Sequence, residues 1–280
     1  MAVSNFFSKI AMLLILVTVF SIYLLEISSA DERDLNNVIA KAEKGNVNAQ
    51  YALAVLYTTG KLGSTTVAVD STLAAYWARQ AASNGNADSA GLLAARYYEG
   101  SGVPKDLGQA QKYALLAMKI SDGHPIGSYV FGLILEGEKS YSSAIMFFSK
   151  AADNGNIEAG YKAAKMTIDH QSDIILPKTI SYLVAAAKAG HAKAQFELGS
   201  LLRESSKTRP TAFYFDEYFK GRKVISSYKK LHANEAYAWL FCASKQSVFK
   251  AKAQLFWMSE SKEAQILAEN YYRKYVAPFK

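Results

Sequence analysis

Four histidines, one cysteine and one adjacent carboxylate pair are the residues whose types could do chemistry. A helical metal pair needs two ligands four apart, and no two of His124, His170, His191 and His232 have that spacing. His124 and His191 follow Gly123 and Gly190, where sister segments carry asparagine, so they read as helix-capping residues. His170 falls in the irregular turn Asp169-His170-Gln171, and His232 ends an insertion. Cys242 has no partner base in view and reads as a buried apolar thiol. One thiol makes no intramolecular disulfide and no multi-cysteine zinc site. Asp216 and Glu217 are adjacent, so their side chains point different ways and read as a surface pair. There is no P-loop, no Gly-x-Ser-x-Gly and no His-Glu-x-x-His, and Gly100-Ser101-Gly102 resembles a phosphate loop only superficially. No catalytic, metal or cofactor-binding residue is predicted, and the chain is read as a non-enzyme.

The elements that would position these residues are repeats. The 280 residues are half hydrophobic and one-fifth charged, which excludes a disordered chain and permits a real core. Glycines recur at Gly45, Gly85, Gly123, Gly155 and Gly190, each followed by asparagine or histidine. Such a pair ends one helix and turns into the next, because both residues tolerate left-handed backbone. Four residues on comes a small residue (Ala49, Ser89, Gly127, Ala159, Ala194). Eight and nine on come Leu53-Ala54, Leu93-Ala94, Phe131-Gly132, Ala163-Ala164 and Leu198-Gly199. These offsets lie along one helical stripe. A second glycine (Gly60, Gly100, Gly137) stops the helix in the first three units.

The second helix of each unit places an aromatic three residues after a small one: Ala74 and Trp77, Ala110 and Tyr113, Ala144 and Phe147, Thr179 and Tyr182, Ala236 and Trp239. A small pair and a glycine follow, with Ser247 in the glycine's place in the last copy, and the second copy carrying two extra residues before Gly123. The pattern predicts an all-α fold, an α/α superhelical solenoid of about five hairpins, in which no hairpin buries its stripe alone. The units run near 45–84, 85–122, 123–154, 155–189 and 190–246.

The second unit, Ala90, Leu93, Tyr97, Gly100-Ser101-Gly102-Val103-Pro104-Lys105-Asp106, Ala110 and Tyr113, resembles the Sel-one-like repeat (SLR) family of tetratricopeptide-like solenoids. The resemblance spans about 45–270. It departs at Gly60-Lys61-Leu62-Gly63 with its Ser/Thr-rich extension, at the shortened turn Glu138–Tyr141, and at Asp173–Pro177, where the turn glycines are lost. It implies a scaffold or adaptor without family-wide catalytic residues, and the chain is read as an exported bacterial member. Exported relatives linked to β-lactam or peptidoglycan chemistry are rich in paired cysteines, unlike this chain.

Residues 1–30 have the order of a secretory signal: Lys9, the apolar run Ile10–Leu25, then Ser28-Ser29-Ala30. Cleavage after Ala30 and a retained signal anchor are both open; both export the rest, and a bacterial periplasm is favoured. Residues 31–44 read as an N-terminal capping helix with Leu35, Val38, Ile39 and Ala42 inward. Residues 247–280 read as C-terminal capping helices, the last N-capped by Ser259 or Ser261 with Ile266, Leu267 and Tyr271 inward.

The fifth unit holds an insertion at about 204–233. Its seven basic and three acidic residues supply +4 of the chain's net +8. Insertions within repeats map to one face, often a binding face. The candidate partner-binding residues are Tyr57, Tyr97 and Tyr98 on the concave first-helix face, with Phe213, Tyr214, Phe215, Tyr218, Phe219 and Arg222 in the insertion. Against this stands core packing of the tyrosines and docking of the insertion on the solenoid, or contact with a membrane surface. The expected partners are one or more envelope-associated proteins, with no nucleic acid, no cofactor, and membrane contact only through an uncleaved N-terminus. An immunity or inhibitor protein, and an enzyme or ligand-binder acting on cell-wall material, are the alternatives.

Overall fold

The computed structural model describes residues 34–170, 177–205, 228–256, 258 and 261–279. The apolar run Ile10–Leu25 and the cleavage site after Ala30 lie outside them, as does residue 259, the first of the two possible caps. The helices are α1 (34–43), α2 (Val47–Thr59), α3 (Ser71–Ser83), α4 (Ala87–Glu99), α5 (Leu107–Ile120), α6 (Pro125–Gly137), α7 (Tyr141–Asp153), α8 (Ile157–His170), α9 (Pro177–Lys188), α10 (Ala192–Ser205), α11 (Tyr228–Lys245), α12 (Phe249–Phe256) and α13 (Lys262–Tyr275). A 3₁₀ turn, Ala277–Phe279, closes the described chain. The chain forms two compact units, dividing between Asp122 and Gly123. The fold is an α-solenoid, and no described helix is long and apolar enough to cross a membrane.

The turns obey the repeat. Gly45, Gly85, Gly123, Gly155 and Gly190 all have φ between +66° and +90°, the left-handed region. Ser247 has φ +67°, so the serine copy adopts the same backbone without the glycine. After four of these glycines the next residue donates its N–H to the carbonyl five back, as in Asn46 to Lys41 and His191 to Ala186, each 3.0 Å. The following side chain then caps the new helix: Asn46, Asn86 and Asn156 accept from the N–H three residues on at 2.7 to 2.9 Å. His124 and His191 do the same through Nδ1, at 3.2 and 3.1 Å. Helix α5 ends differently, on an extended Ser121, where the two extra residues lie.

The turns inside the hairpins differ from one another, and one departs from expectation. Gly60 and Gly100 end their helices left-handed, but Gly137 is a helical residue and Lys139 (φ +60°) takes the turn. The Ser/Thr-rich extension folds as a hairpin, β1 (Lys61–Leu62) and β2 (Thr65–Thr66), around Gly63 at φ +62°. In the second unit, Gly102 seats the loop against α3: a Cβ there would lie 1.9 Å from the Ser71 carbonyl oxygen. The buried Arg96 ties this loop to the first unit, donating to Thr58 Oγ1 at 2.5 Å and to the Ser71 and Ser101 carbonyls at 3.4 Å.

Packing follows the small-residue stripes. Leu53, Ala54, Leu93, Ala94, Ala163, Ala164 and Leu198 are buried. On the second helices the residue after each predicted aromatic goes deepest: Ala78, Ala114, Phe148, Leu183 and Leu240 are all fully buried. Trp77 and Trp239 are buried beside them, while Tyr113, Phe147 and Tyr182 sit at the flank. Small residues face these side chains because there is no room for larger ones. A Cβ on Gly132 would lie 2.7 Å from the Phe148 ring, and one on Gly199 2.8 Å from Leu240 Cγ. At the C-terminus Ser261 caps α13, accepting from Ala264 N–H at 3.0 Å. Tyr275 stacks on Trp239, Tyr271 tilts against it, and Tyr271 donates to the buried Glu235 at 2.8 Å. Ile266, expected inward, is 56% exposed; Ala264 and Ala268 face the core instead. The N-terminal helix packs as expected, with Ala42 buried and Leu35, Val38 and Ile39 against the first core.

Candidate functional site

Helix α8 buries one side and presents another. Its buried side keeps the repeat's small stripe: Ala159, Gly160, Ala163 and Ala164. Its other side carries Glu158, Tyr161, Lys162, Lys165 and Asp169, which spacings of three and four align on one face. That face lines a cleft of about 480 Å³ within the unit Gly123–Lys280, completed by Glu136 on α6, Tyr141 on α7, Met166 and His170 on α8 and Lys193 on α10.

Ion pairs line the cleft, some within α8 and some reaching to neighbouring first helices. Lys162 meets Glu136 at 2.8 Å. Lys165 meets Asp169 at 2.6 Å and Glu197 on α10 at 3.5 Å. His191 Nε2 lies 2.9 Å from Glu158 while its Nδ1 caps α10. His170 stacks on Tyr141 at 3.9 Å between centroids, and Tyr161 tilts against His191 at 4.3 Å. Burial and then Glu197, opposed by Lys165 and reinforced by Glu158 and Asp169, push the Tyr161 phenol up to about 12. Burial pushes the Lys165 ammonium down, but Asp169 and Glu197 outweigh it and hold it above the ordinary lysine range. The cleft therefore combines aromatic walls with a ladder of opposed charges. Among the described residues no group of three or more His, Cys, Asp or Glu could hold a metal ion.

The residues singled out in the sequence lie elsewhere. Tyr57 and Tyr97 are half-buried and pack against the first unit's core; Tyr97 also stacks on Tyr113 and accepts from Arg79 at 2.9 Å. Tyr98 is half-exposed with the Lys105 ammonium over its ring at 5.5 Å. Phe213, Tyr214, Phe215, Tyr218, Phe219 and Arg222 lie outside the described residues. Cys242 is fully buried, and burial, with Glu269, pushes its thiol up to about 12, which suppresses the thiolate a nucleophile needs.

The α8 face was missed although a signal existed. At seven and ten residues after the turn glycine, the first three units carry Ala52 and Val55, Leu92 and Ala95, Val130 and Leu133. The fourth alone carries two lysines there. Reading the repeats for what they share hid the copies that differ at these positions, the fourth with its lysines and the fifth with Glu197 and Ser200.

The Sel1 repeat pattern matches residues 47–86, 87–119 and 127–156. No curated protein sequence matches the chain. Among solved structures it is similar to a Sel1 repeat protein from Oxalobacter formigenes, at TM-score 0.56 and 24% identity, over 80% of this chain and 59% of that one. It is also similar to c5321, a protective antigen of uropathogenic Escherichia coli with an SLR fold, at TM-score 0.53 and 20% identity, over 87% of this chain and 64% of that one. The chain thus spans less than two-thirds of the length of either. The immunity protein Pa5087 from Pseudomonas aeruginosa aligns over 82% of this chain and 80% of that one, at 20% identity and a TM-score of only 0.41. Sel1 repeat proteins generally mediate protein–protein interaction and are typically non-catalytic. Three Sel1 repeats thus lie within residues 47–156, and the described helices have the hairpin-solenoid fold of solved Sel1 repeat structures.

Proposed function

We propose that this is an exported, periplasmic scaffold that holds a partner protein on the first-helix face around α8, in its Gly123–Lys280 unit, with the insertion 204–233 as a second contact. The observation that carries this reading is α8. It keeps the buried small residues of its sisters and the ring that Tyr51 and Tyr129 also supply at the Tyr161 position, but carries Lys162 and Lys165 where the first three units have small or apolar residues. A helix held only for packing has no need of that exchange, and aromatic residues beside charges are favoured contact residues. Lys162 and Lys165 are paired with Glu136, Asp169 and Glu197 rather than aimed at a nucleophile, which supports a binding role over a catalytic one. The apolar run Ile10–Leu25 ahead of Ser28-Ser29-Ala30 supports export.

The test is crosslinked capture from an envelope extract with the full chain as bait. One stoichiometric partner is expected, lost with Tyr161→Ala or Lys165→Glu and weakened by deleting 204–233. Recovery of no partner, or capture indifferent to both α8 variants, refutes the reading.

A further inference from the structure

We infer that the α8 cleft selects a partner segment bearing arginine, whose guanidinium sits among the aromatic walls and the outward carboxylates. The inference rests on the cleft being the docking face, and adds what it docks.

The orientation of two lysine ion pairs and of the His191–Glu158 hydrogen bond carries it. Lys162 is 26% exposed against 36% for Glu136, Lys165 36% against 44% for Asp169, and His191 20% against 47% for Glu158. In all three the basic group is the inner member; the Lys162 ammonium also lies 5.5 Å over the Phe148 ring. Only Glu197, at 18%, lies deeper than its lysine. Each outer carboxylate uses one oxygen on its partner: Glu136 Oε2, Asp169 Oδ1 and Glu158 Oε2. Their second oxygens, and the Tyr161 hydroxyl, have no hydrogen-bond partner among the described residues. The mouth of the cleft thus offers acceptors, while the donors of these pairs are turned inward.

A guest must bring donors and a face to stack. Guanidinium supplies five N–H groups in a planar fork, matches carboxylates two at a time and stacks on aromatic rings. The Tyr141–His170 stack and Tyr161 supply those rings. Lysine offers a point charge without the planar fit. The chain's net charge of +8 repels cationic peptides at long range, so their binding has to be local. Lys193, on the first turn of α10, lines the same cleft with no ion-pair partner among the described residues and opposes a cationic guest.

The experiment is fluorescence anisotropy on the full chain with three labelled octapeptides alike except for two arginines, two lysines or two glutamates. The arginine peptide is expected to saturate and bind tightest, weakening with salt. Glu158→Gln with Asp169→Asn is expected to weaken it about tenfold, on the order of threefold for each exposed charge contact. Lys193→Glu is expected to strengthen it about threefold, and this gain does not depend on a loss variant folding. Tighter binding of the glutamate or lysine peptide, no saturable binding of any, or variants without effect overturns the inference. The docking reading falls separately, through the capture experiment: a partner lost with Tyr161→Ala that presents no arginine leaves the docking face standing and removes this proposal.

Discussion

The same substitution at two helical glycines of one unit is expected to change stability in opposite directions. Gly160 lies on α8 and Gly199 on α10. Alanine in a helix interior is more favourable than glycine by about 1 kcal/mol, because glycine loses more backbone freedom on folding. At Gly160 a Cβ would lie 3.5 Å from Ala152 and 3.6 Å from Tyr182, ordinary contact distances, so Gly160→Ala keeps that gain. At Gly199 it would lie 2.8 Å from Leu240 Cγ and 3.1 Å from both the Leu240 amide nitrogen and the Ala236 carbonyl oxygen. Leu240 is fully buried and two of the three contacts are backbone, so α11 itself must move. Overpacking of this kind costs about 1 to 3 kcal/mol, which outweighs the helical gain. Gly160→Ala should raise the melting temperature by about 2 °C, and Gly199→Ala, with the helical gain deducted from the overpacking cost, should lower it by up to about 4 °C. Hydrogen exchange of α10 and α11 localises the loss, which matters in a repeat protein whose units open separately. Adding Leu240→Ala to Gly199→Ala should cost less than the two single losses together, since the pair is in contact. A Gly199→Ala protein as stable as the parent refutes the close-approach argument.

Other expectations follow from single features. Ser247 occupies left-handed backbone at φ +67°, so Ser247→Gly should stabilise by up to about 1 kcal/mol, read as a rise in denaturant midpoint. Replacing Lys162 by leucine and Lys165 by alanine, the types at those positions in the second unit, should leave the melting temperature nearly unchanged, yet abolish partner capture. The Tyr161 phenol is held above its unfolded value, up to about 12, chiefly by burial. Its contribution is complete below pH 10 and is lost as pH rises toward 12; alkaline titration near 295 nm should show one late tyrosine, absent in Tyr161→Phe. Burial pushes the Asp153 carboxyl up, but hydrogen bonds from Lys178 (2.8 Å) and Tyr182 (2.7 Å) outweigh it and hold it below the ordinary range. That contribution is present above the unfolded value near 3.8 and is lost as pH falls through the lower folded one, so Tyr182→Phe should flatten the acid limb of a stability profile.

What the sequence made legible was local or repeated. The Gly-Asn and Gly-His turns could be read because a left-handed residue and a capping side chain act within four residues of each other, and five copies show the pattern. Ser247 was recognisable only by register, yet its backbone matches the glycines. Two features resisted for a shared reason. Which second-helix side chain goes deepest depends on the angle at which neighbouring helices meet, so Phe148 and Leu183 displace the aromatics Phe147 and Tyr182 that the spacing favoured. The α8 cleft draws Glu136 and Glu197 from helices 26 and 32 residues away from their lysines, a distance no local pattern reports.

Those spacings also bear on what the charged face is for. Lys162 reaches back to α6 and Lys165 forward to α10, so the ladder links first helices of successive repeats. Linking them does not require charge. The earlier units carry Leu92 and Ala95, or Val130 and Leu133, at the same positions, and the fold is the same. Nor is the ladder a strong brace, since partly exposed pairs like these contribute about 0 to 1 kcal/mol each. An apolar pair covers the neighbouring helix at least as well through burial alone. Stability therefore does not explain why this copy carries charge. The proposed docking role does: an ion pair with its carboxylate outward keeps opposite charges matched inside the cleft and leaves acceptors at its mouth, which an apolar pair cannot do.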